Sequence, residues 1–228
     1  MDKDTINLLN GKALIEKKFK YGNNSTCLLV RYNDRNYVLK LMSNNSDINV
    51  NFDFMPKIVE LGKSVYDNEI VDYRLYEYLD GELLLDKNTL SLDEIIDLIH
   101  IPLDLINQGY AFKDINASNF IFKKGKAYLV DYGSISSIEC LFNGKFDNLI
   151  YSSNDGHYCY ELRQNYVKPL DENITIWCFG KMIKECTNLS LNKNVKDIID
   201  KMSSYFRNRR YKCFLDVYND FIKLKEIE

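Results

Sequence analysis

The hydrophobic period changes from two to about 3.6 at Asp80-Gly81-Glu82, and no other feature restricts the fold as much. Before that point, L-L-V-R-Y-N-D-R-N-Y-V-L-K-L (Leu28–Leu41) reads as two β-rich runs around a polar turn, a hairpin signal. Lys57–Glu69 and Val71–Leu79 read as two further strands. After it, Ser91–Ile106 carries apolar residues at helical spacing, with Ser91 as N-cap and Glu94 in the capping-box position. Pro102 is expected to perturb that helix, either ending it or kinking it with the helix continuing beyond. Ile174–Cys186, Val195–Phe206 and Phe214–Leu224 are further helix candidates. With 228 residues, 46% of them hydrophobic, the chain can bury the core of one large domain or of two small lobes. The expectation is an α+β protein, with a small antiparallel β lobe followed by a mainly helical lobe.

Charge argues against two classes of partner. A net charge of −3 provides no field to draw nucleic acid or an anionic membrane. No apolar run approaches the roughly 20 residues of a membrane span. The start, M-D-K-D-T-I-N-L-L-N, lacks the apolar core of a signal peptide. Cys27, Cys140, Cys159, Cys178, Cys186 and Cys213 are scattered without a C-x-x-C pair, so reduced thiols are expected and neither a zinc site nor a disulfide framework. The expectation is a cytoplasmic or otherwise intracellular protein, working in its own cell or in one into which it is delivered.

Chemistry concentrates in Gly109–Ser134. Asp114 and Asn119 share a turn-rich segment, and Asp131 follows the strand-like A-Y-L-V (Ala127–Val130). A turn near Lys124-Gly125 would make Phe120–Val130 a tight hairpin and set Asn119 beside Asp131. Phosphoryl transfer needs a carboxylate near the attacking hydroxyl, oxygen ligands for Mg²⁺ and a cation on the phosphates. Asp114 suits the first task, and Asn119 and Asp131 suit the second. Each also has a plain structural reading, since Asp and Asn commonly cap loops through local backbone bonds. His100 and His157 read as ordinary surface or core residues.

Here the chain resembles the protein-kinase family. F-K-D-I-N-A-S-N (Phe112–Asn119) is similar to the catalytic-loop motif H-R-D-x-x-x-x-N, and D-Y-G (Asp131–Gly133) to D-F-G. Y-V-L-K (Tyr37–Lys40) resembles the strand motif V-A-I-K, and M-P-K-I-V-E-L (Met55–Leu61) the H-P-N-I-V-x-L stretch. Y-E-Y-L-D-G-E-L (Tyr76–Leu83) resembles the inter-lobe hinge with Tyr76 as gatekeeper. T-I-W-C-F-G-K-M-I-K-E (Thr175–Glu185) resembles the central C-lobe helix, and H-Y-C-Y-E (His157–Glu161) the A-P-E end of the activation segment.

The resemblance implies a two-lobed kinase-like fold over the single domain 1–228: N-lobe about 1–76, hinge about 77–82, C-lobe about 83–228. It implies ATP and Mg²⁺ as cofactors and a protein substrate. Lys40 would hold the α- and β-phosphates, and Gly22 would belong to the phosphate-covering loop. Backbone groups at Glu77 and Leu79 would meet the adenine. Asn119 and Asp131 would bind the metal, Asp114 would be the catalytic carboxylate, and Glu161 would pair with Arg209 or Arg210. Hydroxyls at Ser134, Ser136, Ser137, Ser152 and Ser153 fall where self-phosphorylation acts.

The departures bear on activity. The glycine loop K-Y-G-N-N-S-T keeps only Gly22. The stretch 41–55 lacks a Glu, so the N-lobe helix is shortened or lost and only Asp47 or Asp53 is left to pair with Lys40. The motif His is Phe112, expected near Tyr132, and its Arg is Lys113. Asn116 replaces the Lys of serine/threonine kinases, and Thr175 the Asp of the central helix. Three functions follow: a serine/threonine-type protein kinase, a pseudokinase scaffold that binds nucleotide or protein, or a small-molecule or glycan kinase.

Overall fold

The computed structural model describes residues 5–19, 25–42, 52–112, 114–131, 135–138, 171–186 and 192–227. It is a mixed α+β structure, and the chain divides into two compact units, Met1–Asp80 and Gly81–Glu228.

The first unit is a six-stranded antiparallel sheet. Its strands are β1 (Thr5–Leu8), β2 (Gly11–Lys18), β3 (Ser25–Tyr32), β4 (Arg35–Met42), β5 (Ile58–Tyr66) and β6 (Glu69–Glu77), in the order β1-β2-β3-β4-β6-β5. Two-residue turns close two of its hairpins. Asn33 (φ 49°) and Asp34 (φ 59°) join β3 to β4, and Asp67 (φ 50°) and Asn68 (φ 66°) join β5 to β6. Asn and Asp tolerate the left-handed region that such turns require. The second turn corrects the expected strands: 57–69 and 71–79 become 58–66 and 69–77, because Asp67-Asn68 reverses the chain earlier.

Alternation sorts the two faces of this sheet. Leu28, Val30, Leu39, Leu41, Tyr73 and Leu75 form one buried face together with Ile6, Leu8 and Ala13 of the first hairpin. Glu60 ties the two ends of the strand order together. It accepts bonds from Leu9 N (3.0 Å), Asn10 Nδ2 (2.8 Å) and the Tyr73 hydroxyl. Burial and this carboxylate push the Tyr73 hydroxyl up to about 12.

The second unit begins with a close approach. A Cβ on Gly81 would lie 2.5 Å from the Phe122 carbonyl, so only glycine lets the chain pass β9 there. Strand β7 (Glu82–Leu83) pairs with β9 (Phe120–Lys123), which pairs with β10 (Lys126–Leu129) through a turn at Lys124 (φ 53°) and Gly125 (φ 78°). Strand β8 (Tyr110–Phe112) pairs with β11 (Ile135–Ser137). The helices are α1 (Leu92–Asn107), α2 (Glu172–Cys186), α3 (Lys193–Met202) and α4 (Phe214–Ile227).

The capping box at α1 is complete. Glu94 N donates to Ser91 Oγ (3.2 Å), and Ser91 N donates to Glu94 Oε2 (2.9 Å). Helix α1 runs on past Pro102, the continuing alternative of the two that the sequence left open. Pro102 is itself buried, as are Ile95, Leu98, Ile99, Ile101, Leu103 and Leu105 of the same helix. Burial of that apolar surface outweighs one missing backbone bond. Helix α3 ends at Met202 rather than at Phe206, because Ser203 Oγ closes on the Ile199 carbonyl at 2.9 Å. Helix α2 is buried on all sides from Asn173 to Gly180. Among the described residues no helix is long and apolar enough to cross a membrane.

Candidate active site

Two antiparallel pairings frame the loop that carries Asp114 and Asn119. Strand β8 ends just before Asp114, and its partner β11 begins just after Asp131, with Phe112 opposite Ile135. Strand β9 starts right after Asn119, and its partner β10 ends just before Asp131, with Phe120 opposite Leu129. The ladder continues one step further through Val130 N to the Asn119 carbonyl (2.9 Å). The local sequence therefore brings Asp114, Asn119 and Asp131 to one end of the C-terminal unit.

Side chains then fix the loop. Asn119 is 7% exposed, and its Nδ2 donates to the Asp114 carbonyl at 2.9 Å, which turns its Oδ1 away from that carbonyl. Asn116 accepts from both Ser118 N (3.0 Å) and Ser118 Oγ (3.0 Å), capping the short 3₁₀ turn Ala117–Asn119. Burial pushes the Asp114 carboxyl above its ordinary range. A hydrogen bond from the Asn119 side chain opposes that shift, and the negative charge of Asp131 adds to it.

Two further elements hold this frame. Ala127 N, on the outer edge of β10, donates to Asp97 Oδ2 of α1 at 2.5 Å. Behind the loop runs a ladder of edge-on aromatic rings: Phe112 to Phe120 (6.0 Å), Phe120 to Phe179 (5.8 Å) and Phe179 to Phe214 (5.5 Å). Phe112 thus packs edge-on against Phe120, and its expected neighbour Tyr132 lies outside the described residues.

The N-terminal unit carries the other candidates. Lys40 is partly buried on β4, opposite Cys27 of β3 and Arg74 of β6. Glu77 closes β6 and donates its N–H to the Lys57 carbonyl (2.9 Å). Leu79 is buried. Asp53 is exposed at a turn. Gly22, Asp47, Lys113, Gly133, Ser134, Ser152, Ser153, His157 and Glu161 lie outside the described residues.

The candidates for the Glu161 partner differ sharply. Arg209 is exposed, whereas Arg210 is buried and donates to the carbonyls of Ser204 (2.7 Å) and Tyr205 (2.8 Å) and to Asn173 Oδ1 (3.1 Å). Thr175 bonds back to Asp171 of its own helix start (3.1 Å).

Asn119 Oδ1 and the Asp131 carboxylate are hard oxygen donors that suit Mg²⁺, which takes one or two protein carboxylates and completes its shell from phosphate and water. Among the described residues no three His, Cys, Asp or Glu side chains converge as an all-protein cage. Asp97 and the capping role of Asn116 escaped the sequence reading. The signals were a lone Asp within I-I-D-L-I and an Asn two residues before a Ser. No family model matches the chain, and no curated protein matches it either.

Proposed function

We propose that the chain is a divergent, two-lobed protein-kinase-like phosphotransferase that moves the γ-phosphoryl group of ATP to a serine or threonine hydroxyl. The observation that carries this reading is the Asp114–Asn119–Asp131 cluster, in which a buried amide fixes one carboxylate loop and a second carboxylate acts on the first. Asp114 orients the acceptor hydroxyl and takes its proton as the oxygen bonds to the γ-phosphorus. The bond from the γ-phosphorus to the β,γ-bridging oxygen breaks, and ADP leaves. The raised affinity of Asp114 for a proton favours that acceptance. Lys40 binds the α- and β-phosphates, and Asn119 and Asp131 hold Mg²⁺, whose charge would offset that of the phosphate oxygens when bound. Transfer of labelled phosphate from ATP to protein hydroxyls, abolished by chelating Mg²⁺, tests the proposal. No transfer to any protein would defeat it.

A second acceptor class has one observation in its favour. Asn116 stands where a serine/threonine kinase has a lysine, and it caps its own loop. A small molecule or glycan as acceptor is therefore the second reading, distinguished by label on a small product instead of on protein.

A further inference from the structure

Strand β10 is terminal in the order β10-β9-β7, and Val130 N just beyond it reaches inward to the Asn119 carbonyl at 2.9 Å. Successive N–H groups along a strand point to alternate edges, so the N–H of Ala127 points outward, away from β9. Ala127 is fully buried, and the half-buried Asp97 of α1 accepts that N–H at 2.5 Å. A buried amide needs an acceptor, and an ionised carboxylate is a strong one.

The support behind this bond is firm. Helix α1 packs along β10, and Ile95, Leu98 and Ile99 beside Asp97 are buried. The two proposed metal ligands are reached by different routes. Asn119 is anchored within its own loop, by Asn119 N to the Asn116 carbonyl (3.0 Å) and by Nδ2 to the Asp114 carbonyl (2.9 Å). Asp131 arrives along β10, the strand that Asp97 grips. The setting of β10 between α1 and β9 therefore acts on the spacing of Asp131 from Asn119. Mg²⁺ demands near-ideal octahedral geometry, so its binding is sensitive to that spacing.

We infer that Asp97 is a positioning residue for the metal site: its carboxylate pins β10 to α1 and so sets Asp131 relative to Asn119. The inference rests on the phosphotransferase reading and gives it a determinant outside the catalytic loop.

The test is calorimetric binding of ADP to the full chain, in EDTA and over a series of Mg²⁺ concentrations, at a temperature where each variant stays folded. Groups that orient metal ligands from outside typically carry 10- to 100-fold in metal affinity, and Asp97 acts through a strand. Asp97→Ala is therefore expected to raise the Mg²⁺ needed for half of the gain in ADP affinity by about 10-fold, with ADP affinity in EDTA unchanged. Asp97→Asn keeps an acceptor oxygen without the charge and shifts the response in the same direction by less. If Asp97→Ala does not fold, that smaller shift carries the test. Val195→Ala lowers stability from a buried site on α3 instead, and is expected to keep the wild-type Mg²⁺ response. A wild-type response in every Asp97 variant that folds, or an equal shift in Val195→Ala, overturns this inference alone. ADP affinity that falls equally in EDTA and in Mg²⁺ also overturns it, because Asp97 would then shape the fold and not the metal site. A wild type that binds no ADP, or whose ADP affinity ignores Mg²⁺, overturns the inference and the metal roles of Asn119 and Asp131 together.

Discussion

Asn119 fixes the Asp114 main chain: its buried Nδ2 donates to the Asp114 carbonyl at 2.9 Å, across a loop that β8 enters and β9 leaves. Removing that amide deprives a part-buried carbonyl of its partner and frees the turn. Asn119→Ala is expected to lower stability by about 1–3 kcal/mol in urea melts and to abolish Mg²⁺-dependent turnover. Unchanged turnover would remove Asn119 from the site.

Asp114 sets function against stability. Its carboxyl is raised above the ordinary 3.8, first by burial and then by Asp131, against the Asn119 bond. A folded-state pKa above the unfolded value contributes stability below the unfolded pKa, and that contribution is lost as pH rises through the folded one. At pH 7 the ionised group is therefore a cost. Asp114→Asn should match or exceed the wild-type Tm at pH 7, with any excess shrinking as the pH falls toward 3.8, while phosphoryl transfer disappears. A Tm well below wild type at pH 7 would contradict this origin of the shift.

Asp97 holds the outer edge of β10 through Ala127 N. Asp97→Ala leaves that N–H without its acceptor and should cost about 1–3 kcal/mol, whereas Asp97→Asn keeps an acceptor oxygen and should lose less. Chemical denaturation of the two variants side by side checks the order.

The aromatic ladder and the α2–α3 contact set the core of the C-terminal unit. Phe120→Ala removes a fully buried ring that touches both Phe112 and Phe179, and about 3–5 kcal/mol is expected to go with it. Gly180→Ala would place a methyl group 2.7 Å from Met202 Cβ and 3.0 Å from Ser203 N. The helices would have to part, costing about 1–3 kcal/mol by thermal or urea melt.

Much of this architecture was legible where local chemistry decides it. The N-D and K-G turns, the Ser91–Glu94 box and the all-round apolar α2 each follow from a few adjacent residues. The first hairpin was harder to see. Its strands T-I-N-L and G-K-A-L-I-E-K-K are short or polar, and the available signal was the Asn10-Gly11 pair at the turn. Pro102 left the length of α1 open, and burial along the helix outweighs one residue's propensity. At the site, the spacing of Asp114, Asn119 and Asp131 pointed to their convergence, since one tight hairpin and one strand pair suffice to bring them together. Asp97 was not legible, because its role depends on Ala127, a neighbour distant in sequence on another element.

The most direct measurement incubates purified protein with γ-labelled ATP and Mg²⁺, alongside Lys40→Ala and Asp131→Ala variants that keep the wild-type melting transition. A working phosphotransferase puts label on the protein or on a generic protein substrate, and both variants lose it. Absence of label from the wild-type reaction would contradict the phosphotransferase assignment, and label that persists at the wild-type level in Asp131→Ala would contradict the metal role of Asp131.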